Sequence, residues 1–301
     1  MAPISPEEMI AVITRRFGVH RGYHALHAKG AYFSGTFRAT DAARAISVAP
    51  HMQGGDAEVI ARLSNGAGDP GDPDYAPDVR GLAVGIELSD GSRTDIVAQT
   101  TPRIPIATPD AFAQILKLAK PSLGTLASLP AFLARNPMLV STARTNLATM
   151  KPPASFATRA FYGVHAFSWH APDETTRWVR YTLVPEDHTP DPRSAEAKAA
   201  GRDYLFEEMA RRLAAGPARW TLRLQIAAAA DDPHRANAHW PEDRETIDAG
   251  TLELTAPSDP DGPVIFDPMR LCEGIEPSDD PILHYRPGAY GLSYEQRTAT
   301  T

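Results

Sequence analysis

Cysteine is almost absent from the sequence, which contains only Cys272 among 301 residues. An intrachain disulfide needs two cysteines, so none can form, and zinc or iron–sulfur sites built from several cysteines are excluded. Such low use of cysteine is consistent with a reducing compartment. Long apolar runs are missing too, since no stretch reaches the ~18 residues of a membrane-spanning helix. The first residues lack the basic-then-apolar order of a secretory signal, so we expect a cytoplasmic protein with no membrane partner.

Basic residues are outnumbered by acidic ones, with Lys+Arg 30 against Asp+Glu 37 and a formal net charge of −7. Binding to nucleic acid depends on a surplus of cations that neutralise phosphates, so we expect no nucleic-acid partner. Hydrophobic residues at 43% and charged residues at 22% are ordinary for a globular chain. No break in composition marks a domain boundary, and we predict a single domain over residues 1–301.

Alternating and β-branched segments predict eight strands, four in each half of the sequence. The predicted strands cover residues 31–39, 57–65, 81–88, 94–100, 164–170, 176–184, 219–227 and 250–256. Eight strands can close into a barrel that is filled by side chains or holds one small ligand. Helical patterns are predicted at residues 5–17, about 108–150, about 193–214 and about 287–297. The fold class is therefore α+β, an eight-stranded antiparallel β-barrel with surrounding helices.

Two segments suggest a metal site without completing one. His20, His24 and His27 have helix-like spacing, but a strand is predicted directly after them and no nearby acid completes a ligand set. They are interpreted as structural histidines, with the alternative that one of them is a proton shuttle. The loop 66–78 has four aspartates that could bind calcium, yet it lacks the spacing of a known calcium loop and is interpreted as solvated.

Arg62 and Ser64 are two residues apart in a predicted strand, so alternation places both side chains on one face. An arginine that points into a barrel is costly to bury unless it meets an anion. The alternative is a shifted register in which both side chains face water.

Arg286, Tyr290 and Arg297 are spaced four and seven residues apart, which places them within about 20° of one helical stripe. Cations beside a phenol favour its anionic form, and a phenolate is a hard ligand suited to ferric iron. The alternative is an exposed helix whose Arg and Tyr side chains pack on the surface.

Six segments together resemble the catalase superfamily, in particular its small catalase-related peroxidases. They are HAKG (27–30), ARLSNG (61–66), APDVRGLAVGI (76–86), DIVAQTTP (95–102), YGVHAFSW (162–169) and EGIEPSDDPILHYRPGAY (273–290). HAKG looks like the distal-histidine motif before the first barrel strand, and the last segment ends in the family's Arg-x-x-x-Tyr ligand motif. The likeness keeps the family's order over about residues 20–297, with the barrel core at about 20–260.

The resemblance implies a haem b inside the barrel, with Tyr290 as the axial ligand of its iron. Arg286 matches the arginine that hydrogen-bonds this phenolate. His27 matches the distal acid–base residue on the opposite side of the haem, and Ser64 matches its supporting hydroxyl.

Further residues match the haem-binding positions of the family. Arg62 and Arg297 match partners of the haem propionates, and Phe112 matches the aromatic residue stacked by the haem. His24 stands where the family usually has a propionate-binding arginine, and either His24 or Arg21 is expected to replace that arginine.

Gln99 stands where the family has a distal asparagine, and the chain lacks the family's long N-terminal arm and C-terminal extension. An NADPH site and a threaded tetramer therefore have no support, and we expect at most a homodimer. The open channel of a short chain and the longer amide of Gln99 favour a small organic electron donor over a second hydrogen peroxide.

The implied activity is that of a haem peroxidase that reduces organic hydroperoxides, hydrogen peroxide or both through a ferryl intermediate, with weak or absent catalase activity. Its catalytic residues would be His27, Ser64 and Gln99. One alternative is an enzyme that rearranges fatty-acid hydroperoxides, like allene oxide synthase, because Thr100 and Thr101 lie close to the distal segment. The other is a barrel that binds haem without catalysis.

Overall fold

The computed structural model describes residues 3–118 and 123–299. In these two ranges, nine antiparallel strands form one sheet and eight α-helices surround it. The strands are β1 Gly30–Ala39, β2 Asp56–Asn65, β3 Arg80–Glu87, β4 Arg93–Gln99, β5 Phe161–His170, β6 Thr176–Pro185, β7 Ala218–Ile226, β8 Thr246–Ser258 and β9 Ile275–Pro277. The helices are α1 Pro6–Phe17, α2 Asp41–Ile46, α3 Pro109–Leu118, α4 Leu123–Arg135, α5 Met138–Thr149, α6 Ser194–Ala200, α7 Tyr204–Ala215 and α8 Pro281–Thr298.

Strands β1 to β8 close into a barrel because β4 pairs with β3 on one side and with β5 on the other. The closing contact places Gln99 opposite Tyr162, and β9 pairs with the other end of β5. All eight strands predicted from the sequence are present, and the predicted eight-stranded barrel is confirmed. The three-residue β9 is too short to give a periodic signal in the sequence.

The helical predictions are correct in place but not in every boundary. Ser5 caps α1 through a capping box with Glu8, as the sequence indicates. The stretch 108–150 divides into α3, α4 and α5, and residues 119–122 within it lie outside the described part of the chain. Gly201, with φ of +115°, separates α6 from α7 because few other residues adopt this conformation.

No helix in the described ranges is both long enough and apolar enough to cross a membrane.

The interior of the barrel is packed with apolar side chains from all eight strands. Phe33 of β1 lies opposite Ala61 of β2, and Leu63 of β2 lies opposite Leu82 of β3; each of these side chains is at most 2% exposed. Because side chains alternate along a strand, Arg62 lies on the outer face of the barrel. The arginine that the sequence analysis assigned to the haem propionates therefore lies outside the packed interior, and the position of a cofactor stays a prediction.

Two buried histidines make the fold sensitive to acid. His51, on a short 3₁₀ turn, is 7% exposed, and burial lowers its pKa to about 4. His165 on β5 is 2% exposed, and burial lowers its pKa to about 4 as well. An unfolded histidine has a pKa of about 6.5. The unfolded chain therefore binds more protons between about pH 6.5 and 4, and the free energy of unfolding falls as the pH falls through this range.

Replacing His51 by glutamine should reduce this acid sensitivity. One such histidine contributes a slope of about 1.4 kcal/mol per pH unit between its two pKa values. We expect urea unfolding at pH 7, 6 and 5 to show a slope smaller by about that amount in His51→Gln than in the wild type. His188→Gln is the control, because His188 is exposed and its removal should leave the slope unchanged. Equal slopes in His51→Gln and the wild type would contradict the assignment.

Candidate functional site

The first wall of the site is formed by His27, in the irregular segment just before β1. Its backbone has φ of +55°, a left-handed conformation that is rare outside glycine. The amide of His27 donates to the carbonyl of Gly66 at 3.0 Å, which holds the residue in this conformation. The ring atom Nδ1 lies 3.0 Å from Ser64 Oγ on β2. The structure thus brings His27 and Ser64 together. Because Ser64 contacts Nδ1, the other ring nitrogen, Nε2, is not engaged by this hydroxyl.

A glycine on β3 makes this pair possible. Gly81 lies between Ser64 and Gln99 in a row of directly opposed residues on the outer face of the barrel. A Cβ atom at position 81 would lie 2.7 Å from His27 Nδ1 and 2.7 Å from Ser64 Oγ, closer than real contacts allow. The imidazole therefore occupies the space of the missing side chain. Sequence reasoning did not single out Gly81, and its position beside a predicted histidine pocket can be recognised only in three dimensions.

Arg62 connects the histidine to a cationic region, which is formed by Arg62 and Arg297. Its Nη2 donates to the carbonyls of His27 and Ala28, at 2.9 and 3.1 Å. The side chain is 6% exposed, and among the described residues no carboxylate lies within ion-pair distance of it. Burial lowers the pKa of Arg62 to about 10, which leaves it charged at neutral pH. A buried cation without an acidic partner is costly and is suited to an anionic group from outside the chain.

The electrostatic surroundings keep His27 neutral. Burial lowers its pKa to about 3, and the positive charges of Arg62, Arg286 and Arg80 lower it in the same direction. A neutral imidazole has one unprotonated nitrogen, so His27 can accept a proton throughout the physiological range.

The opposite wall is helix α8. It begins at Pro281 and ends at Thr298, so the expected start at Pro287 is wrong. Asp280 caps the helix by accepting from the amides of Ile282 and Leu283, and Pro281 fits the first helical position. This Asp-Pro signal is present in the sequence, whereas Pro287 lies inside the helix.

Helix α8 carries the expected Arg/Tyr pair. Arg286 donates from Nε to the hydroxyl of Tyr290 at 2.8 Å, and its Nη2 is also hydrogen-bonded to that hydroxyl. Two donations from one guanidinium fix the position of the Tyr290 oxygen, which accepts both hydrogen bonds. The helix also places Arg297 on the same stripe as Arg286 and Tyr290, as the spacing predicts.

A buried histidine behind Arg286 was not predicted. His165 Nδ1 lies 3.6 Å from the carboxylate of Asp280, and burial together with the charge of Arg286 lowers the pKa of His165. The same carboxylate caps α8, so the histidine and the helix start share one anchor. The signal was the histidine in the segment YGVHAFSW, but nothing in the sequence indicates that it reaches the end of α8.

The two walls face each other across direct contacts. The amide of Ala25 donates to Ser293 Oγ at 3.0 Å, and His24 Nε2 is hydrogen-bonded to Nη1 of Arg297. The segment that ends at His27 therefore runs alongside the face of α8 that carries Tyr290. The histidine and the tyrosine that sequence analysis singled out therefore lie on neighbouring segments of the fold.

Phe112 on α3 forms part of an apolar side of this site. It packs both against the cluster built on α1, which includes Leu26 and Leu292, and against a second cluster around Phe132. Leu26 is the neighbour of His27, and Leu292 lies on α8, so α1 and α3 hold the two walls together.

The remaining expectations for the site have different outcomes. Gln99 lies on the outer face two strands from Ser64, where its Nε2 is 3.4 Å from the carbonyl of Thr101. Arg21 is exposed, whereas His24 contacts Arg297, so of the two only His24 lies at the cationic region. In residues 3–118 and 123–299, no group of three metal-ligating side chains is present.

The loop 66–78 is less solvated than expected. Asp74 is fully buried and accepts from Lys29 Nζ at 2.7 Å and from Asn65 Nδ2 at 2.8 Å. Its other oxygen accepts from the amide of Leu205 at 2.9 Å. The interpretation as a solvated loop is wrong for this residue, because a half-buried lysine partner compensates the cost of burying the carboxylate.

Comparison with known proteins agrees with this arrangement. The sequence matches the family model Catalase over residues 22–301. It is 39% identical over 299 residues to the Catalase-related peroxidase of Mycolicibacterium paratuberculosis, covering 98% of this chain and 95% of the relative. It is 32% identical over 303 residues to the Catalase-related peroxidase of Synechococcus elongatus, covering 98% of this chain and 89% of the relative.

Two solved structures share the fold. A fungal catalase has a TM-score of 0.79 at 20% identity, covering 97% of this chain and 62% of that structure. A bacterial catalase has a TM-score of 0.78 at 23% identity, covering 97% of this chain and 60% of that structure. This chain thus spans about three fifths of the length of those two catalases. The chain belongs to the catalase superfamily, is similar over nearly its whole length to catalase-related peroxidases, and is an oxidoreductase that acts on peroxide.

Proposed function

We propose that this protein is a haem-dependent peroxidase that reduces organic hydroperoxides, hydrogen peroxide or both at the expense of a small organic donor. The observation that carries the proposal is a neutral, half-buried His27 on the same side of the molecule as the Arg286–Tyr290 pair, with two arginines beside them that have no acidic partner among the described residues. Arg62 and Arg297 supply the positive charge that the two carboxylates of a haem need. Membership of the catalase superfamily is consistent with a haem cofactor in general.

The residues of the site fit haem b in three respects. The hydroxyl of Tyr290, held by Arg286, is an oxygen donor suited to ferric iron. Nε of Arg297 is buried and has no hydrogen-bond partner among the described residues. Phe112 offers an apolar surface for the porphyrin ring. When bound, the iron porphyrin would take up the oxidising equivalents of the peroxide and pass them to the donor.

The chain itself supplies proton transfer and orientation. Ser64 holds Nδ1 of His27, which leaves Nε2 to accept a proton. Nε2 would take the proton from the protonated oxygen of the hydroperoxide and deliver it to the other oxygen, which leaves as water or alcohol when the O–O bond breaks. Arg62 holds the carbonyl of His27 and so fixes the ring against β3. Arg286 would orient the Tyr290 oxygen through its two hydrogen bonds.

We assign the electron donor to the class of small organic molecules and expect catalase activity to be weak or absent. Gln99, at the end of the row that starts with Ser64 and Gly81, has a longer side chain than an asparagine, and its amide is hydrogen-bonded to Thr101 just after β4. Gln99 is therefore poorly placed to orient a second hydrogen peroxide. We also propose that residues 1–301 act as one haem-binding domain, that a homodimer is possible, and that the protein acts in the cytoplasm.

An absorption spectrum of the purified protein, followed by two assays, tests the proposal. We expect a Soret band with charge-transfer features of a ferric phenolate, dye oxidation under an organic hydroperoxide, and little oxygen release from hydrogen peroxide. Vigorous oxygen release with little dye turnover would overturn the donor assignment, and a colourless protein that takes up no haem would overturn the cofactor. An epoxide formed from a lipid hydroperoxide without reductant would favour rearrangement, and haem uptake without turnover would favour the non-catalytic barrel.

The rearrangement hypothesis has less structural support than its sequence signal indicated. The hydroxyl of Thr100 accepts from the amide of Arg80 at 3.0 Å and is 1% exposed. That hydroxyl is therefore engaged with the backbone of β3.

Gly81→Ala should reduce turnover by displacing His27. The added Cβ would meet both His27 and Ser64 at 2.7 Å, and a displacement of about 1 Å in a catalytic group costs about 10²-fold. The measurement is the rate of dye oxidation per bound haem. Gly216→Ala is the matched control, because a Cβ at that position has no atom within 4 Å.

A double-mutant cycle shows whether Gly81 acts through His27. In a His27→Ala background, Gly81→Ala should reduce turnover little further, since the imidazole that the added Cβ would displace is absent. An equal loss in both backgrounds would contradict this role of Gly81.

A further inference from the structure

The contact between His24 and Arg297 has a defined direction. A guanidinium carries only donors, so Nη1 of Arg297 must donate and Nε2 of His24 must accept. His24 is therefore neutral in this arrangement, with its proton on Nδ1. A nitrogen that accepts from Arg297 cannot at the same time donate to a carboxylate.

The surroundings of His24 oppose its protonation. Burial lowers its pKa to about 2, and the charges of Arg62, Arg297 and His27 act in the same direction. No carboxylate of the described residues lies within ion-pair distance of His24 to offset these charges. The imidazole thus serves the region as a hydrogen-bond acceptor and not as a third cation.

The other contacts of Arg297 complete its orientation. Its Nη2 donates to the carbonyl of Val264 at 2.8 Å, and its guanidinium stacks 5.2 Å from the ring centroid of Tyr294. Only Nε is both buried and without a partner among the described residues. Two acceptors, His24 and Val264, therefore fix the plane of the guanidinium and leave the Nε–H, together with the second N–H of each terminal nitrogen, for a ligand.

We propose that His24 is a positioning residue that orients Arg297 as a neutral acceptor, so that Arg297 and Arg62 alone hold the carboxylates of the cofactor. The proposal rests on the proposed function, because the cofactor supplies the carboxylates. It replaces the expectation that His24 substitutes for an arginine as a propionate ligand. If His24 orients Arg297, haem binding should survive a substitution that keeps an acceptor at position 24 and weaken with one that adds a cation. If His24 itself binds a carboxylate, the opposite is expected.

Three substitutions of His24 in the haem-loaded protein separate the two roles. The measurement is the rate of haem transfer to excess apomyoglobin, followed by the Soret band. His24→Gln keeps an acceptor, and we expect release within about threefold of the wild type. His24→Ala and His24→Arg should release haem about 10–100-fold faster, because the acceptor is lost and, in His24→Arg, a second cation faces Arg297.

The reverse order would overturn the proposal. If His24 were itself a carboxylate ligand, His24→Arg would retain haem at least as well as the wild type, and His24→Gln would lose it. A double-mutant cycle supplies a further check. In an Arg297→Gln background, His24→Ala should speed haem release little further. An additive loss would show that His24 acts independently of Arg297.

Failure of the proposed function would look different. If the wild type bound no haem, the cofactor assignment would fail before position 24 was tested. His20→Ala serves as the control for the shared segment, because His20 contacts the carbonyl of Phe17 at 2.8 Å and Asp69 at 3.9 Å and has no contact with Arg297 among the described residues. Haem release from His20→Ala as fast as from His24→Ala would attribute the effect to loosening of the segment and overturn the proposal.

Discussion

His27→Ala should retain haem and lose about 10²–10⁴-fold in peroxide turnover, the usual contribution of a general acid–base residue. This loss corresponds to about 3–5 kcal/mol of transition-state stabilisation. The measurement is dye oxidation under an organic hydroperoxide, normalised to the haem content from the Soret band. Haem should stay bound because the contacts of Tyr290 with Arg286 do not involve His27.

The pH profile follows from the lowered pKa of His27. A base with a pKa of about 3 is unprotonated at every pH above that value, so its own titration cannot reduce turnover between pH 5 and 8. Turnover should fall through protonation of His27 only as the pH approaches about 3. An acid limb near pH 6.5 that disappears in His27→Ala would contradict the assignment, because it would show that the ring titrates as it does in water.

Ser64→Ala is the matched control for the histidine. It removes the 3.0 Å contact with Nδ1 but leaves Nε2 in place, so the loss should be much smaller than in His27→Ala. Equal losses would mean that the hydroxyl itself takes part in the reaction. Unchanged turnover in His27→Ala would remove general acid–base catalysis by this residue and favour a barrel that only binds haem.

Tyr290→Phe should have the largest effect on the cofactor. Phenylalanine keeps the shape of the ring and removes the oxygen that would bind iron, so we expect haem retention to weaken by more than the 10–100-fold typical of losing a supporting contact to a metal ligand. The variant should also leave Arg286 without its acceptor. The measurements are haem content after purification and the rate of transfer to apomyoglobin.

Tyr294→Phe is the matched control on the same helix. Tyr294 lies one turn after Tyr290, and its ring stacks under Arg297, a contact that phenylalanine preserves. We expect normal haem content and an unchanged charge-transfer band in Tyr294→Phe. Loss of that band in Tyr294→Phe but not in Tyr290→Phe would show that the wrong tyrosine has been assigned.

Sequence patterns were sufficient for the barrel and for several individual contacts. Alternation defined eight strands because each strand buries one face, and the capping box of Ser5 marked the start of α1. The spacing of Arg286, Tyr290 and Arg297 correctly predicted one helical stripe. The start of α8 was placed too late, because Pro287 was taken as a first-turn proline although Asp280 and Pro281 carry the stronger signal.

Other features of the site depend on contacts between segments that are far apart in the sequence, and no local pattern indicates such contacts. His165 reaches Asp280 across more than one hundred residues, and Gly81 makes room for the ring of His27 on another strand. The direction of the contact between His24 and Arg297 also depends on how two distant segments meet. Similarity in sequence can name such positions, but it does not tell which atom donates or which space must stay open.

By itself, the sequence determined that alternating strands close into a barrel, that an Arg/Tyr stripe lies on the last helix, and that a histidine precedes the first strand. These features follow from periodicity, which acts between neighbours in the chain. Only the tertiary structure decided that the barrel interior is filled and that Arg62 and Ser64 lie on its outer face. The reason is that Leu63 and Arg62 alternate on one strand, and the side that faces inward depends on the packing of all eight strands together.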